Sequence, residues 1–357
     1  YGVGNDLQPQ IHHMTSQPIG LLLDRILTMK NQGMEVLVLE VTSHALAQYR
    51  TMGVPIDIAV MTNLTHEHLD YHGSFGAHRT AKVKLFKQAN RTKKGLKIGI
   101  VNADDENASY FAKEIKHPIW FSMNPSDDKS VVWPRDLKVT PKGSRYQTVV
   151  DGQKLQISCN LPGSFNVANS LAAATVGIAF GLAPEQVEQG IAALKSVEGR
   201  MTRIDEGQKF DVIVDFAHTP DSFEKLFSDM RPVVTGRLIC LFGSAGRRDV
   251  SKRAVQGSIA GKYSDIVILT EEDDRDIDGN MILDQIAKGA EKSGKVRGKN
   301  LHLILDRTKA IEFALDTAKP GDTVLLLGKG HEKTIERIDG EHDWDEIGLT
   351  TKLLKSS

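Results

Sequence analysis

The sequence predicts an α/β protein made of two successive units, each wound on a mainly parallel sheet. Three observations carry that prediction. Short apolar, partly β-branched runs alternate with stretches of helical periodicity from end to end, as repeated strand–crossover–strand units do. Most of those runs are nearly continuous in apolar residues, as parallel strands buried on both faces are. The alternation is interrupted once, over 131–158, and then starts afresh.

In chain order, Leu22, Leu23, Ile26 and Leu27 have helical spacing, and MEVLVLEV (34–41) reads as a buried parallel strand. DIAVMT (57–62) repeats the type, a helix covers 75–88, and KIGIV (97–101) is the next strand. In the interruption, YQTVVDGQKLQIS holds two alternating runs joined by Asp151-Gly152, a hairpin signal that marks a small antiparallel element. Helices over 166–180 and 184–194 follow, the second opening with Pro184 in its first turn. FDVIVDF (210–216), RLICLFG (237–243), DIVILT (265–270), LHLIL (301–305) and DTVLLLG (322–328) are the strands of the second unit. The boundary falls near Ser196–Gly199, giving domains 1–197 and 198–357, and the polar tail 352–357 is expected to fray.

Composition excludes several classes. Of 357 residues, 40% are hydrophobic and 25% charged, ordinary for a globular chain and unlike a disordered or collagenous one. Lys+Arg number 45 against 46 Asp+Glu, so no basic field points to nucleic acid. No run approaches the ~18 apolar residues of a membrane span. Cys159 and Cys240 lie in strand-like runs without metal-ligand spacing and read as buried free thiols of a reducing cytoplasm. The chain opens YGVGNDLQPQ, with no initiator Met and no signal peptide, so a longer parent protein is expected.

Ligands of open α/β sheets sit outside the carboxyl ends of the strands. MEVLVLEV delivers Glu40 and then Thr42-Ser43-His44 to such an end. DIAVMT leads to His66, Glu67, His68, Asp70 and His72. A divalent metal site and a solvated loop are both open readings of that cluster, because His-x-His alone does not make the side chains converge.

These residues also carry a resemblance. EVTSHALAQYR (40–50), TNLTHEHLDYHG (62–73) and TAKVKLF (80–86) resemble the central domain of the Mur ligase family, in its branch that adds the third peptide residue. LPGSFNVANSLAA (161–173), GRM (199–201), VDFAHTPDSF (214–223), FGSAGRRDVSKR (242–253) and GKGHE (328–332) follow in the family's order, so the likeness covers essentially the whole chain. It implies a central ATPase-like domain with a truncated parallel sheet and a small antiparallel element, followed by a Rossmann-like C-terminal domain. It also implies an ATP- and Mg²⁺-dependent amide ligase of peptidoglycan synthesis, monomeric and in the bacterial cytoplasm. That enzyme adds a diamino acid, meso-diaminopimelate or L-lysine, to UDP-N-acetylmuramoyl-L-Ala-D-Glu through an acyl phosphate.

By this resemblance Glu40 and His68 match Mg²⁺ ligands, and Lys82 matches a lysine that is carbamylated, which turns an ammonium into the oxygen donor that Mg²⁺ prefers. Thr15, Ser16, Thr42, Gln48 and Arg50 match positions that hold the UDP-sugar dipeptide. Asn166, Asn169, Arg200, Asp215 and His218 match the ATP site, Asn166 reading equally as a helix N-cap. Arg248, Arg275, Gly328 and Glu332 match the diamino-acid site, with Glu332 toward an ammonium and Arg248 toward a carboxylate. Lys252 and Arg253 read equally as function or as a solvated helix face.

Departures qualify the likeness. No G-x-x-x-x-G-K-[ST] phosphate loop occurs anywhere, and the family's loop cradles the phosphates with backbone N–H groups. The chain is therefore expected to be an inactive piece of a longer ligase, or else a degenerate non-catalytic binding relative. Glu272-Asp273-Asp274-Arg275 stands where the branch has D-N-P-R. Arg275 favours meso-diaminopimelate if the acidic side chains point to solvent. The competing enzyme readings are a polyglutamate- or cyanophycin-type ligase and, at the level of fold, a nicotinamide oxidoreductase. HLDYHG and DFAHTPD argue against the first, and the lack of G-x-G-x-x-G after 210–216 argues against the second.

Overall fold

The computed structural model describes residues 2–3, 6–7, 16–65, 69–140 and 143–356. It divides into two compact units, Tyr1–Asp136 with Gln147–Gln156 and Ala168–Glu188, and Leu137–Tyr146 with Ile157–Val167 and Gln189–Ser357.

The chain opens with β1 (Gly2–Val3), β2 (Asp6–Leu7), α1 (Ile19–Asn31), α2 (Ser43–Ala47), β3 (Ile58–Met61), α3 (Leu69–His72) and α4 (Phe75–Arg91). β4 (Ile98–Asn102), α5 (Ala108–Ala112), β5 (His117–Phe121) and β6 (Val131–Val132) follow. β3, β4, β5 and β6 pair in that order, all parallel. Their core is built from Ala59 and Met61 of β3, Val83, Phe86 and Ala89 of α4, and Phe111 of α5. Positions 83, 86 and 89 recur every three residues, so one stripe of α4 faces the sheet.

MEVLVLEV is the main departure from expectation. Residues 34–42 form no regular secondary structure and pair with no described strand, and Val36 and Val38 are exposed. A parallel strand needs a ladder neighbour, and β3 stands at the edge of its sheet. The apolar run alone cannot supply that neighbour. Leu23 and Leu27 of α1 are exposed as well.

β7 (Arg135–Thr140), β8 (Gly143–Val150) and β9 (Gln153–Cys159) form the expected antiparallel element. Asp151 and Gly152 both have positive φ, 47° and 75°, as a two-residue type I′ turn requires. Helices α6 (Ser164–Phe180) and α7 (Pro184–Ala193) come next.

The second unit continues with β10 (Thr202–Ile204), β11 (Asp211–Asp215), α8 (Pro220–Met230), β12 (Leu238–Phe242), α9 (Ser251–Tyr263), β13 (Ile266–Leu269) and α10 (Gly279–Lys292). It ends with β14 (Leu301–Leu303), α11 (Arg307–Thr317), β15 (Thr323–Leu327), β16 (Thr334–Arg337), β17 (Gly340–Asp343) and α12 (Glu346–Ser356). The strand order is β10-β11-β15-β12-β13-β14, with β10 alone antiparallel. β12 shows why its sequence is apolar throughout. Leu238, Cys240 and Phe242 point to a core shared with α8 and α10, while Ile239 and Leu241 point to one shared with α11. Both cysteines are buried and free, and burial pushes the Cys240 thiol up to about 12. The tail does not fray as expected: α12 runs to Ser356. Its first residue, Glu346, is ion-paired at 2.6 Å with Arg307, and both side chains are fully buried. Among the described residues no helix is long and apolar enough to cross a membrane.

Candidate active site

In the first unit, the segment after residue 40 turns into α2 through Thr42, whose Oγ1 accepts the Ala45 N–H at 3.2 Å. Ser16 Oγ accepts the Thr42 N–H at 3.0 Å. It lies 3.2 Å from the Glu40 carbonyl and 3.4 Å from Thr42 Oγ1, either of which accepts its single proton. Arg50 Nη1 donates to the Ser16 carbonyl at 2.8 Å and Nη2 to Gln48 Oε1 at 2.5 Å. Gln48 Nε2 in turn donates to the Tyr71 hydroxyl at 3.0 Å. Ser16, Thr42, Gln48 and Arg50 are thus joined in one hydrogen-bonded cluster. Thr15, like His66, Glu67 and His68, lies outside the described residues.

The metal expectation fares differently. Glu40 is exposed, and Lys82 is half-buried on α4. His72 Nε2 lies 3.0 Å from Ser43 Oγ, and its ring stacks on His78 at 5.2 Å. Among the described residues no three His, Cys, Asp or Glu side chains are placed to hold a metal. His68 lies outside the described residues, and Lys82, whose ammonium offers no lone pair, would supply an oxygen donor only as a carbamate.

In the second unit, the predicted residues gather at the carboxyl ends of β11, β15, β12 and β13. Asp215 is buried, and each carboxylate oxygen accepts a backbone N–H, from Met201 and from Ala217, both at 2.8 Å. Burial raises its pKa against those bonds and against Arg200 and His218. Arg200 lies over the Phe216 ring, 4.8 Å from its centroid, and His218 and His331 flank the same ring at 4.7 and 5.2 Å. Gly199 is required here, since a Cβ on it would sit 2.1 Å from the His331 nitrogen. The His218 carbonyl accepts Lys252 Nζ at 3.2 Å and Gln256 Nε2 at 2.9 Å.

The acidic run is not solvent-facing, so the condition set for Arg275 to favour meso-diaminopimelate is not met. Glu271, Glu272 and Asp274 are all below one-tenth exposed. Lys329, fully buried, pairs with Asp273 at 2.8 Å and with Glu332 at 2.7 Å. Burial raises the Asp273 pKa, but Lys329, the Glu336 N–H and Arg275 together outweigh it and hold the carboxyl below its ordinary value. At Asp274 burial, with Glu271, Glu272 and Asp273 beside it, outweighs the hydrogen bond from the Glu272 N–H and pushes the carboxyl up to about 6. Arg275 pairs with Glu336 at 2.7 Å, and Gly328 lies against Glu272, whose Oε2 a Cβ would approach to 2.8 Å. Arg248 is exposed in the loop after β12.

Two further expectations change. Arg253 is not on a solvated face: it is 2% exposed and donates to Gln285 and to the Ala245 carbonyl. Lys252 is only partly buried, and burial lowers its pKa while Glu272 opposes the shift. Asn166 is the third residue of α6 and donates to the Pro162 carbonyl at 2.7 Å, so it is no N-cap. Asn169 is exposed on the same helix. Tyr71, Phe216 and Lys329 were passed over although they lie inside the quoted strings. Glu336 had no local signal, since its partner is 61 positions away.

The chain resembles known proteins along most of its length. The Mur ligase middle domain matches residues 2–177, and the Mur ligase glutamate ligase domain matches 199–330. A UDP-N-acetylmuramyl-tripeptide synthetase of Treponema denticola is 36% identical over 370 residues, spanning 99% of this chain and 69% of that protein. The chain belongs to the Mur ligase family. A second synthetase of the same name, from Roseiflexus sp. (strain RS-1), is 42% identical over 337 residues, 91% of this chain. This Mur ligase chain spans about two thirds of such relatives, 66% of the Roseiflexus protein. Among solved structures, a UDP-N-acetylmuramoyl-L-alanyl-D-glutamate–2,6-diaminopimelate ligase matches with a TM-score of 0.63 and 29% identity, covering 94% of this chain and 68% of that one.

Proposed function

We propose that this chain belongs to an ATP-dependent amide ligase of peptidoglycan synthesis, a monomeric bacterial cytoplasmic enzyme. It joins a diamino acid to UDP-N-acetylmuramoyl-L-Ala-D-Glu. The observation that carries this reading is the Ser16–Thr42–Gln48–Arg50 cluster, which presents hydroxyls, an amide and a guanidinium in one fixed arrangement. Such donors suit a ligand rich in carboxylate and phosphate oxygens.

The chemistry runs in two balanced steps. The terminal carboxylate of the dipeptide takes the γ-phosphoryl group of ATP, releasing ADP and leaving an acyl phosphate. The amine of the diamino acid then attacks the acyl carbon. The tetrahedral intermediate expels inorganic phosphate, and the amine proton passes to solvent. Arg50 holds an anionic group of the donor. Phe216, with Arg200 above it, offers the adenine a stacking face, and Asp215 fixes the backbone on either side. Asn166, Asn169 and His218 are further residues proposed for the nucleotide. Arg248, Arg275, Gly328 and Glu332 receive the diamino acid, with residues 1–197 and 198–357 as the two domains.

Bound Mg²⁺ would screen the phosphate charge. Glu40, His68 and Lys82 are the proposed residues for it, Lys82 only once its ammonium has become a carbamate. Without a G-x-x-x-x-G-K-[ST] loop, residues 1–357 by themselves are expected not to turn over ATP.

The test is Arg50→Ala in the full product of the reading frame that contains these residues. The KM for the UDP-sugar dipeptide should rise at least about tenfold, as for loss of one charge-assisted hydrogen bond. The KM for the diamino acid should hold. An unchanged donor KM would contradict the assignment.

A further inference from the structure

We infer that Tyr71 donates its phenolic proton to an anionic oxygen of the acyl-donor substrate, an assignment that rests on the function proposed above. The argument is one of proton direction. Arg50 has only donors, and it is anchored by the Ser16 carbonyl at 2.8 Å. The oxygen of the Gln48 amide must therefore face Arg50, at 2.5 Å. That leaves Nε2, which only donates, facing the Tyr71 hydroxyl at 3.0 Å. The hydroxyl oxygen accepts from Gln48, so its own proton is turned away from the cluster, and among the described residues none accepts it.

The ring is held for this task. It packs on His44 with centroids 4.1 Å apart and meets His72 edge-on at 4.8 Å. Tyr71 is nevertheless 45% exposed, which opens the hydroxyl to a ligand. Because the relay Ser16–Arg50–Gln48–Tyr71 orients the proton before anything binds, the complementary group is an acceptor. A carboxylate or phosphate oxygen fits, and an ammonium does not.

Two oxygens of the donor share that chemistry, the glutamyl carboxylate and the diphosphate. The experiment titrates UDP-N-acetylmuramoyl-L-Ala-D-Glu and UDP-N-acetylmuramoyl-L-Ala into the full product of the reading frame. Parent, Tyr71→Phe, Gln48→Glu and the double variant are compared. Tyr71→Phe keeps the ring and should weaken dipeptide binding by about tenfold, the scale of one hydrogen bond to a charged group, with an unchanged thermal midpoint. Loss for the dipeptide alone puts the partner on the glutamyl carboxylate, and equal loss for both ligands puts it on the diphosphate. Gln48→Glu supplies a carboxylate that draws the Tyr71 proton inward, so it should cost a similar factor with the tyrosine intact. The double variant should then be no weaker than Gln48→Glu alone. Parent-like affinity in Tyr71→Phe, or full additivity in the double variant, would overturn the inference while leaving the proposed function standing. A parent protein that binds neither ligand would overturn both.

Discussion

Arg275 and Glu336 form an ion pair at 2.7 Å, and the Arg275 N–H also donates to the Glu336 carbonyl at 3.0 Å. The arginine expected to receive the acceptor's distal carboxylate already has a carboxylate partner, and a diamino acid must share or displace it. Glu336→Gln should therefore raise the preference for meso-diaminopimelate over lysine by several-fold. Arg275→Ala should lower it by about tenfold, the loss of one charge-assisted contact. Competition between the two amino acids at equal concentration measures both ratios. Ratios unmoved by either substitution would remove Arg275 from acceptor selection.

Asp274 gives a stability prediction with a definite sign. Its folded pKa, about 6, lies above the ordinary carboxyl value, so ionising it disfavours the folded state. Its contribution is fully present below the unfolded pKa of ~4 and is lost as pH rises through about 6. Asp274→Asn should stabilise the protein at pH 7.5 by on the order of 2 kcal/mol and do little at pH 3.5. Denaturant unfolding at the two pH values checks this, and an equal effect at both would refute it.

Helices α9 and α10 touch through glycine. A Cβ on Gly289 would lie 1.8 Å from the Ala254 carbonyl oxygen, whereas one on Gly190 in α7 meets nothing within 4 Å. Gly289→Ala should cost at least ~1–3 kcal/mol by overpacking. Gly190→Ala should stabilise by ~0.5–1 kcal/mol through helix propensity. Thermal unfolding of the two variants should move in opposite directions.

What was legible in the sequence follows from how local each cause is. Val212, Cys240 and Leu325 lie on parallel strands buried on both faces, and their continuous apolar runs announce that burial directly. The hairpin at Asp151-Gly152 is set by two residues with positive φ. Residues 34–41 misled because an apolar run records a tendency to pair and not the presence of a neighbour. β16 and β17, with Glu336 and Glu341 opposite each other, carry too many charges to read as strands. At the candidate site, the string holding Gln48 and Arg50 was recognisable, but the fate of the acidic run was not. Glu271 is held by Arg337 and Asp273 by Lys329, partners more than fifty positions away.

The most direct measurement of the central claim is the product formed by the full product of the reading frame. It is supplied with UDP-N-acetylmuramoyl-L-Ala-D-Glu, ATP, Mg²⁺ and a diamino acid, and analysed by mass spectrometry beside phosphate release. The account predicts a UDP-sugar tripeptide, heavier by the diamino acid less one water, with one phosphate and one ADP released per molecule made. Phosphate release without tripeptide, or no reaction with either meso-diaminopimelate or L-lysine, would contradict it.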